Sequence, residues 1–446
     1  MRKIIALLER HTLSIRLIAS AMQARRIKPD RMLEMLTESG REIRENDKLS
    51  EIIYGRMKQV FRLTALSDEE LFVLKNLALI PMSGIEVETF SDWCGADYDD
   101  IDALIEKSWI VHDPVLDRIH LHPLVADLML EELAEDPDCC TEFLQNMVDA
   151  FTNTFRNSYE EKLQKVDYVN TVCARLPKDH PSYAMMLLTK ADAVMSIEGF
   201  SGSLGLYREL WDRSSKGVES IKICGKLAHA LSLSGDMQGC YDIALEGWET
   251  TKDIPADDLT NEQGYWRNQI LKRLLESTRA LGDYDASLQW GELALVESDR
   301  FYTTTPEENR GWCLWHIART LQMRGAGGDL ERGAELVQEA ERLFAKDHDD
   351  WSRSYCFGLQ GLICTGLGEY QQALENNQTY LDMLLPRLRD DHYDIAQGYE
   401  WRGNTYQAMG DLENARDYYE KAIRIFRDNG AAARQANTEM LLNALG

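Results

Sequence analysis

Tyr399-Glu400-Trp401-Arg402-Gly403-Asn404-Thr405-Tyr406-Gln407-Ala408-Met409-Gly410, followed by Asp411-Leu412-Glu413-Asn414-Ala415-Arg416-Asp417-Tyr418-Tyr419-Glu420-Lys421-Ala422, is the stretch on which the reading of the chain turns. Its key positions alternate in type: aromatic Tyr399, small Gly403, aromatic Tyr406, Gly410, small Ala415, aromatic Tyr419, small Ala422. Two helices joined at Gly410 explain the order. Small residues let the two helices approach closely, and aromatics fill the gap to the next pair. A glycine at the junction supplies the left-handed conformation that ends the first helix.

The same grammar recurs along the chain. Helix–turn–helix segments are expected around Gly235-Asp236, Gly282-Asp283-Tyr284, Gly328-Asp329, Gly368-Glu369-Tyr370 and Gly410-Asp411, with spacings of 47, 46, 40 and 42 residues; a weaker turn lies at Glu198-Gly199-Phe200. A period of this size marks a solenoid. The last copy resembles the tetratricopeptide repeat at that family's own offsets. Others depart from it: Asn377 stands where the late aromatic belongs, Leu275 where a small residue is expected, and the copy with Ala318 carries extra residues around 325–328. Residues 431–445 read as a helix covering the end of the stack.

Upstream the pattern changes. Leu66-Ser67-Asp68-Glu69-Glu70 opens a capped helix that runs to Pro81. Short helices follow at about 86–93 and 98–108. Trp109-Ile110-Val111-His112 and Arg118-Ile119-His120-Leu121 flank Asp113-Pro114-Val115-Leu116-Asp117 as a β-hairpin. Pro123, at the favoured first helical position, begins a closing helix. Three helices, a hairpin and a helix describe a winged-helix domain. Residues 1–62 are helical with a break at Lys28-Pro29-Asp30, and Ile4, Leu8, Ile15 and Ile18 recur at helical spacing. The expected fold is mainly α, with three domains: a small helical domain (1–62), a winged-helix domain with a short β-hairpin (63–136), and a tetratricopeptide-like α-solenoid with a C-terminal capping helix (137–446).

Charge narrows the partners. The chain is 446 residues long with a net charge of −26, which disfavours phosphate backbones and makes nucleic acid a poor partner. Residues 1–62 run the other way, with 14 Lys+Arg against 8 Asp+Glu; this fits an intramolecular contact or an acidic partner, or is variation on a solvated surface. Nine cysteines form no CxxC and read as free thiols of a reducing, cytoplasmic compartment. No apolar run long enough to span a membrane occurs.

Leu8-Glu9-Arg10-His11-Thr12-Leu13-Ser14-Ile15-Arg16-Leu17-Ile18-Ala19 resembles the G-x-P-L-A-L element of NB-ARC and related STAND ATPases, and Leu121-His122-Pro123-Leu124-Val125 looks like their M-H-D element, carried in bacterial members as x-H-P-L-V. The domain order resembles the C-terminal part of that architecture, with a tetratricopeptide sensor. The resemblance implies that His122 contacts the β-phosphate of bound ADP. It also implies that Thr12 holds the place of the proline that lies on the adenine. Both roles need an ATPase domain, and no G-x-x-x-x-G-K-[ST] occurs in the sequence. The chain is therefore expected not to be an enzyme, and to need no cofactor of its own; ADP or ATP would enter with a nucleotide-binding domain in cis or in trans.

Other motifs are weighed against plainer readings. His112, His120 and His122 lack a Cys or carboxylate at ligand spacing, so no metal is expected. The helix entered by Asp97-Tyr98-Asp99-Asp100 is too acidic to read DNA. Trp312, Trp315, Arg319 and Gln322 face the concave groove if Ala318 marks the small position, and Asn404 falls on the same face of the last repeat. Aromatics with arginine commonly anchor binding surfaces; packing of the tryptophans between repeats is the competing reading. The function expected is the ligand-sensing and regulatory region of a STAND-type signalling ATPase, binding a protein or peptide. The alternatives are a stand-alone scaffold or adaptor and, further off, a transcriptional regulator.

Overall fold

A computed structural model describes residues 1–8, 11–24, 26–38, 54–55, 58, 61, 66–151, 158–302 and 305–446. Glu9 and Arg10 of the Leu8–Ala19 motif lie outside them, as does most of the helical expectation over 39–62. The described chain is mostly helical, with one small sheet. It divides into two compact units, Met1–Leu206 and Tyr207–Gly446.

The first unit begins with α1 (Arg2–Leu7), α2 (Thr12–Ala24) and α3 (Pro29–Glu38). Ile4, Leu8, Leu17, Ile18, Met32 and Leu36 are buried, as their helical spacing requires. The break before Pro29 is where α3 starts. Next come α4 (Asp68–Leu77), β1 (Ile85–Glu86), α5 (Val87–Cys94), α6 (Tyr98–Glu106), β2 (Ile110–Asp113), β3 (Arg118–Leu121) and α7 (Pro123–Glu135). Ser67 caps α4 in a reciprocal box, accepting from the Glu70 N–H at 3.1 Å while the Glu70 carboxylate takes the Ser67 N–H at 3.2 Å. The expected hairpin pairs Ile110 with Leu121 and Asp113 with Arg118.

The sheet has one strand more than the sequence reading supplied. Gly84 turns the chain at φ +75°, and Ile85–Glu86 then pairs antiparallel with β3, giving the order β1-β3-β2. Glu86, expected in a helix, is a strand residue and precedes α5. A two-residue strand has no periodicity to read, which is why it was missed.

Four helices complete this part of the chain: α8 (Thr141–Phe151), α9 (Tyr159–Arg175), α10 (Tyr183–Glu198) and α11 (Phe200–Arg213), the last crossing the division between units. The Tyr168 hydroxyl donates to the Gly84 carbonyl at 2.8 Å, and Arg175 donates to the carbonyls of Ala78 and Ile80. These bonds tie α9 to the sheet block.

The second unit is a run of helix pairs: α12/α13 (Ile221–Ser234, Met237–Thr251), α14/α15 (Asn261–Ala280, Tyr284–Ser298), α16/α17 (Pro306–Arg324, Asp329–Lys346), α18/α19 (Asp350–Leu367, Tyr370–Leu384) and α20/α21 (Tyr393–Met409, Leu412–Asp428), closed by α22 (Ala432–Asn443). Each first helix ends on a glycine in the left-handed region: Gly235, Gly282, Gly325, Gly368 and Gly410. An aspartate then caps the second helix in three pairs, through Asp236, Asp283 and Asp411. The extra residues of the third pair form a wider turn with Gly325 and Gly328 both left-handed. Arg324 clamps it on Asp329 with two bonds of 2.8 Å.

Packing within a pair is fixed by two facing positions, seven residues before and nine after the turn glycine. In the last pair they are Gly403 and Tyr419, and a Cβ on Gly403 would strike the Tyr419 ring. In the Gly282 pair they are Leu275 and Gly291, and a Cβ on Gly291 would meet the side chains of Leu275 and of Ile317 in the next pair. The large residue that departed from the repeat pattern is thus matched by a glycine opposite. In the Gly368 pair they are Gly361 and Asn377. Asn377 is fully buried and donates to Thr405 of the next pair at 3.2 Å, so a polar link stands where an aromatic was expected.

Neighbouring pairs pack on one another, and consecutive first helices touch far more than second helices do, so first helices line the inner face. No disulfide joins any of the nine cysteines. Burial pushes Cys224 and Cys240 up to about 12. Among the described residues no helix is long and apolar enough to cross a membrane.

The facing pair generates a test. Leu275→Ala should cost about 2–5 kcal/mol as a cavity, and Gly291→Leu about 1–3 kcal/mol as overpacking. The double variant should lose clearly less than the sum, read from urea unfolding midpoints. Strict additivity would mean that the two positions do not share one volume.

Candidate binding groove and the His122 element

Position within each first helix decides what reaches the inner face. Counting back six and three residues from the helix-ending glycine gives His229 and Ser232, Glu276 and Arg279, Arg319 and Gln322, Leu362 and Thr365, then Asn404 and Gln407; Leu362 is buried in the core, so the polar row is interrupted in the fourth pair. Arg319, Gln322 and Asn404 were anticipated. Glu276 and Arg279 were not, although the same offset applied to the Gly282 copy finds them.

Arg319 is half-buried, and its guanidinium donates to the Gln322 side-chain oxygen at 2.5 Å. Arg279 is buried and donates to the His316 carbonyl, one turn before Arg319, at 3.2 Å. Arg273 pairs with Glu276 on its own helix. Glu276 is held below the usual carboxylate range: burial opposes its charge, but Arg273 and Arg279 outweigh it. Lys272 is buried on the neutral oxygen of Asn309 at 2.8 Å, and burial pulls it down to about 8. His316 is buried with no partner for Nδ1. Burial and then Arg279, Arg273 and Lys272 hold it well below the ordinary histidine range. Further along, Arg434 meets Glu400 at 3.3 Å, and Glu400 also accepts from Thr438 at 2.7 Å.

The two tryptophans are largely occupied by packing. Trp315 donates its indole N–H to the Tyr355 carbonyl at 3.0 Å. Trp312 lies against Phe344 and Tyr355, with centroids 5.4 and 5.6 Å apart. Both rings remain half-buried at the joint between the third and fourth pairs. Asn404 is in hydrogen-bond contact with the Tyr419 hydroxyl at 2.8 Å, within its own helix pair. The structure therefore brings Arg319 together with Gln322, and leaves Asn404 apart.

In the first unit, His122 precedes α7 and its Nδ1 accepts the Leu124 N–H at 3.3 Å, so the ring caps the helix. Its ring stands edge-on to His11, centroids 5.8 Å apart. His11 Nδ1 faces the Ser14 hydroxyl at 3.0 Å, and Thr12 is exposed at the start of α2. The motif at 8–19 and the His122 element, more than a hundred residues apart, are thus in contact. Burial, with His11 and His120 nearby, lowers the His122 pKa. His112 faces Asp117 at 2.9 Å.

A tetratricopeptide-repeat family matches residues 396–429. No curated protein matches the chain in sequence. Solved structures resemble it at low identity. One is a Signal Transduction ATPase with Numerous Domains (STAND) protein with a tetratricopeptide repeat sensor from Pyrococcus horikoshii, 15% identical, covering 92% of this chain and 65% of that one, with a TM-score of 0.46. A tetratricopeptide repeat protein from Parabacteroides merdae is 12% identical over 68% of this chain and 98% of its own, with a TM-score of 0.46. A Rap protein complexed with Competence and Sporulation Factor is 11% identical over 72% and 91%, with a TM-score of 0.47. The chain spans about 65% of the length of the Pyrococcus protein.

Two outcomes are expected of the histidines. The unfolded chain takes up a proton at His316 near pH 6.5 that the folded unit refuses. This contribution to stability is therefore complete above that pH and lost as pH falls below it, by at most about 1.4 kcal/mol per unit. Urea midpoints from pH 7.5 to 5.5 should fall less steeply in His316→Gln than in the parent. Separately, His122→Ala should cost about 1 kcal/mol by removing a cap, and His122→Asn should retain most of it; equal losses would show that the ring's cap bond contributes nothing.

Proposed function

We propose that this chain is the ligand-sensing and regulatory region of a STAND-type signalling ATPase, and that its helix-pair unit binds a protein or peptide on the inner face. The observation that carries the binding reading is the set of charged and polar side chains on the first helices, from His229 through Glu276, Arg279 and Arg319 to Glu400, which meets Arg434 of the closing helix α22. A solvated helix face needs no such interlocking of groups between repeats. The tetratricopeptide match over 396–429 supports a protein or peptide as the partner.

The regulatory reading is supported by the contact between His11 and His122. Residues 66–135 are read as a winged helix that, with the basic helical lobe, passes ligand binding to a nucleotide-binding domain through a bistable interface. His122 and Thr12 are the residues of this chain that would meet ADP or ATP held by that domain. His122 already spends Nδ1 on its helix, which leaves Nε2 for a ligand. Without a phosphate loop the chain would have no ATPase activity of its own. A scaffold or adaptor is the second reading, favoured by the missing phosphate-binding motif.

Immunoblotting of source cells with antibody against the helix-pair unit separates the two. A band larger than 51.1 kDa by one or two domains is expected. A band at 51.1 kDa sinks the ATPase assignment and leaves the adaptor.

A further inference from the structure

The second helices form the outer side of the stack, and the repeat register says which of their positions meet water. Two are eleven and fourteen residues after the turn glycine, counted from Gly328 in the third pair. In four pairs they are polar or charged: Glu246 and Glu249, Glu339 and Arg342, Thr379 and Asp382, Lys421 and Arg424. In α15 they are Leu293, 43% exposed, and Val296, 81% exposed. Internal packing does not account for these two, since α15 buries Ser287, Gly291, Ala294 and Ser298 instead. Trp290, one turn before Leu293, is half-buried and stands edge-on to the half-buried Trp248 of α13, with centroids 5.8 Å apart. An apolar strip therefore runs from α13 onto α15. Its border is acidic: each of the two helices carries three carboxylates and no lysine or arginine. Asp242, Leu245, Glu246, Glu249 and Thr250 line a shallow open depression on α13. Glu246 meets Lys216 at 3.2 Å and Glu249 meets Lys252, all four side chains being exposed; such pairs are weak and exchange readily.

We infer that the outer face of α13 and α15 docks a basic amphipathic helix of a partner protein, on a surface separate from the inner face proposed above. Exposed apolar residues scattered singly need no explanation, but a continuous strip with a polar border marks a contact surface. Two adjacent helices leave a groove that takes the side-chain ridge of a third. Apolar side chains at three- and four-residue spacing would cover Trp290, Leu293 and Val296. Lysines or arginines beside them would take over Glu246 and Glu249, which occupy on α13 the repeat positions that Leu293 and Val296 occupy on α15. Nucleic acid or an anionic lipid surface would meet the same carboxylates with like charge.

The test is selection of a displayed library of helical peptides on the full chain, with removal of clones that also bind the double variant Leu293→Glu/Val296→Glu. That variant gives α15 the residues that α13 already carries at the same positions, so it should melt at the parent's temperature. Should it melt lower, Val296→Lys replaces it, altering only the most exposed position and repelling a basic peptide. Enriched peptides should carry net positive charge and bind the double variant about ten-fold or more weakly by fluorescence anisotropy. Their affinity should fall as salt is raised, and Glu246→Gln/Glu249→Gln should weaken them several-fold at low salt. Bound peptide should slow amide exchange in α13 and α15 rather than in the first helices. Enriched peptides without basic residues, or affinity indifferent to Glu246 and Glu249, would overturn the basic partner. Recovery of no peptide that tells the two proteins apart would overturn the surface, while the inner-face reading stands. Self-association of the full chain that the double variant abolishes would make the occupant a second copy and overturn the partner helix.

Discussion

The helix-pair unit depends on one steric constraint: two helices joined at a left-handed glycine must share a fixed volume where they come closest. Whatever one facing position takes, the other gives up. Gly403 with Tyr419 and Leu275 with Gly291 are opposite solutions to the same equation, and Ala228 with Ala244, both fully buried, is the even split. Interiors are packed too tightly to absorb a side chain's worth of error. Once the approach is set, each first helix turns one edge toward its neighbours' first helices, and the inner face follows.

Much of this could be read from local pattern. The turn glycines, the last helix pair, the Ser67 cap and the hairpin at 110–121 each announce themselves within a few residues. The facing-pair compensation could not be read from one repeat, because Leu275 looks like an error until Gly291 is set opposite it. The short strand at Ile85–Glu86 exists only because β3 is there to pair with. For Trp312 and Trp315 the sequence left groove and joint both open, since aromatic rings suit either equally well, and the folded chain occupies them largely at the joint.

Arg279 and Arg319 illustrate the same limit in electrostatics. Composition gives the total charge, and a repeat register can suggest which side chains share a face. Whether a given arginine forms an ion pair depends on residues tens of positions away, and only the folded arrangement tells Arg267, bonded to Glu297, from Arg319, bonded to the neutral Gln322.

The buried cysteines have a practical corollary. A thiol whose ionisation is pushed to about 12, as for Cys224 and Cys240, presents at neutral pH roughly a hundred-thousandth of its population as the reactive thiolate. Alkylating dyes would find these two sulfurs nearly inert. A cysteine introduced on the outer surface, at Val296 for instance, would be modified far faster than either, and would give a spectroscopic handle on the curvature of the helix stack.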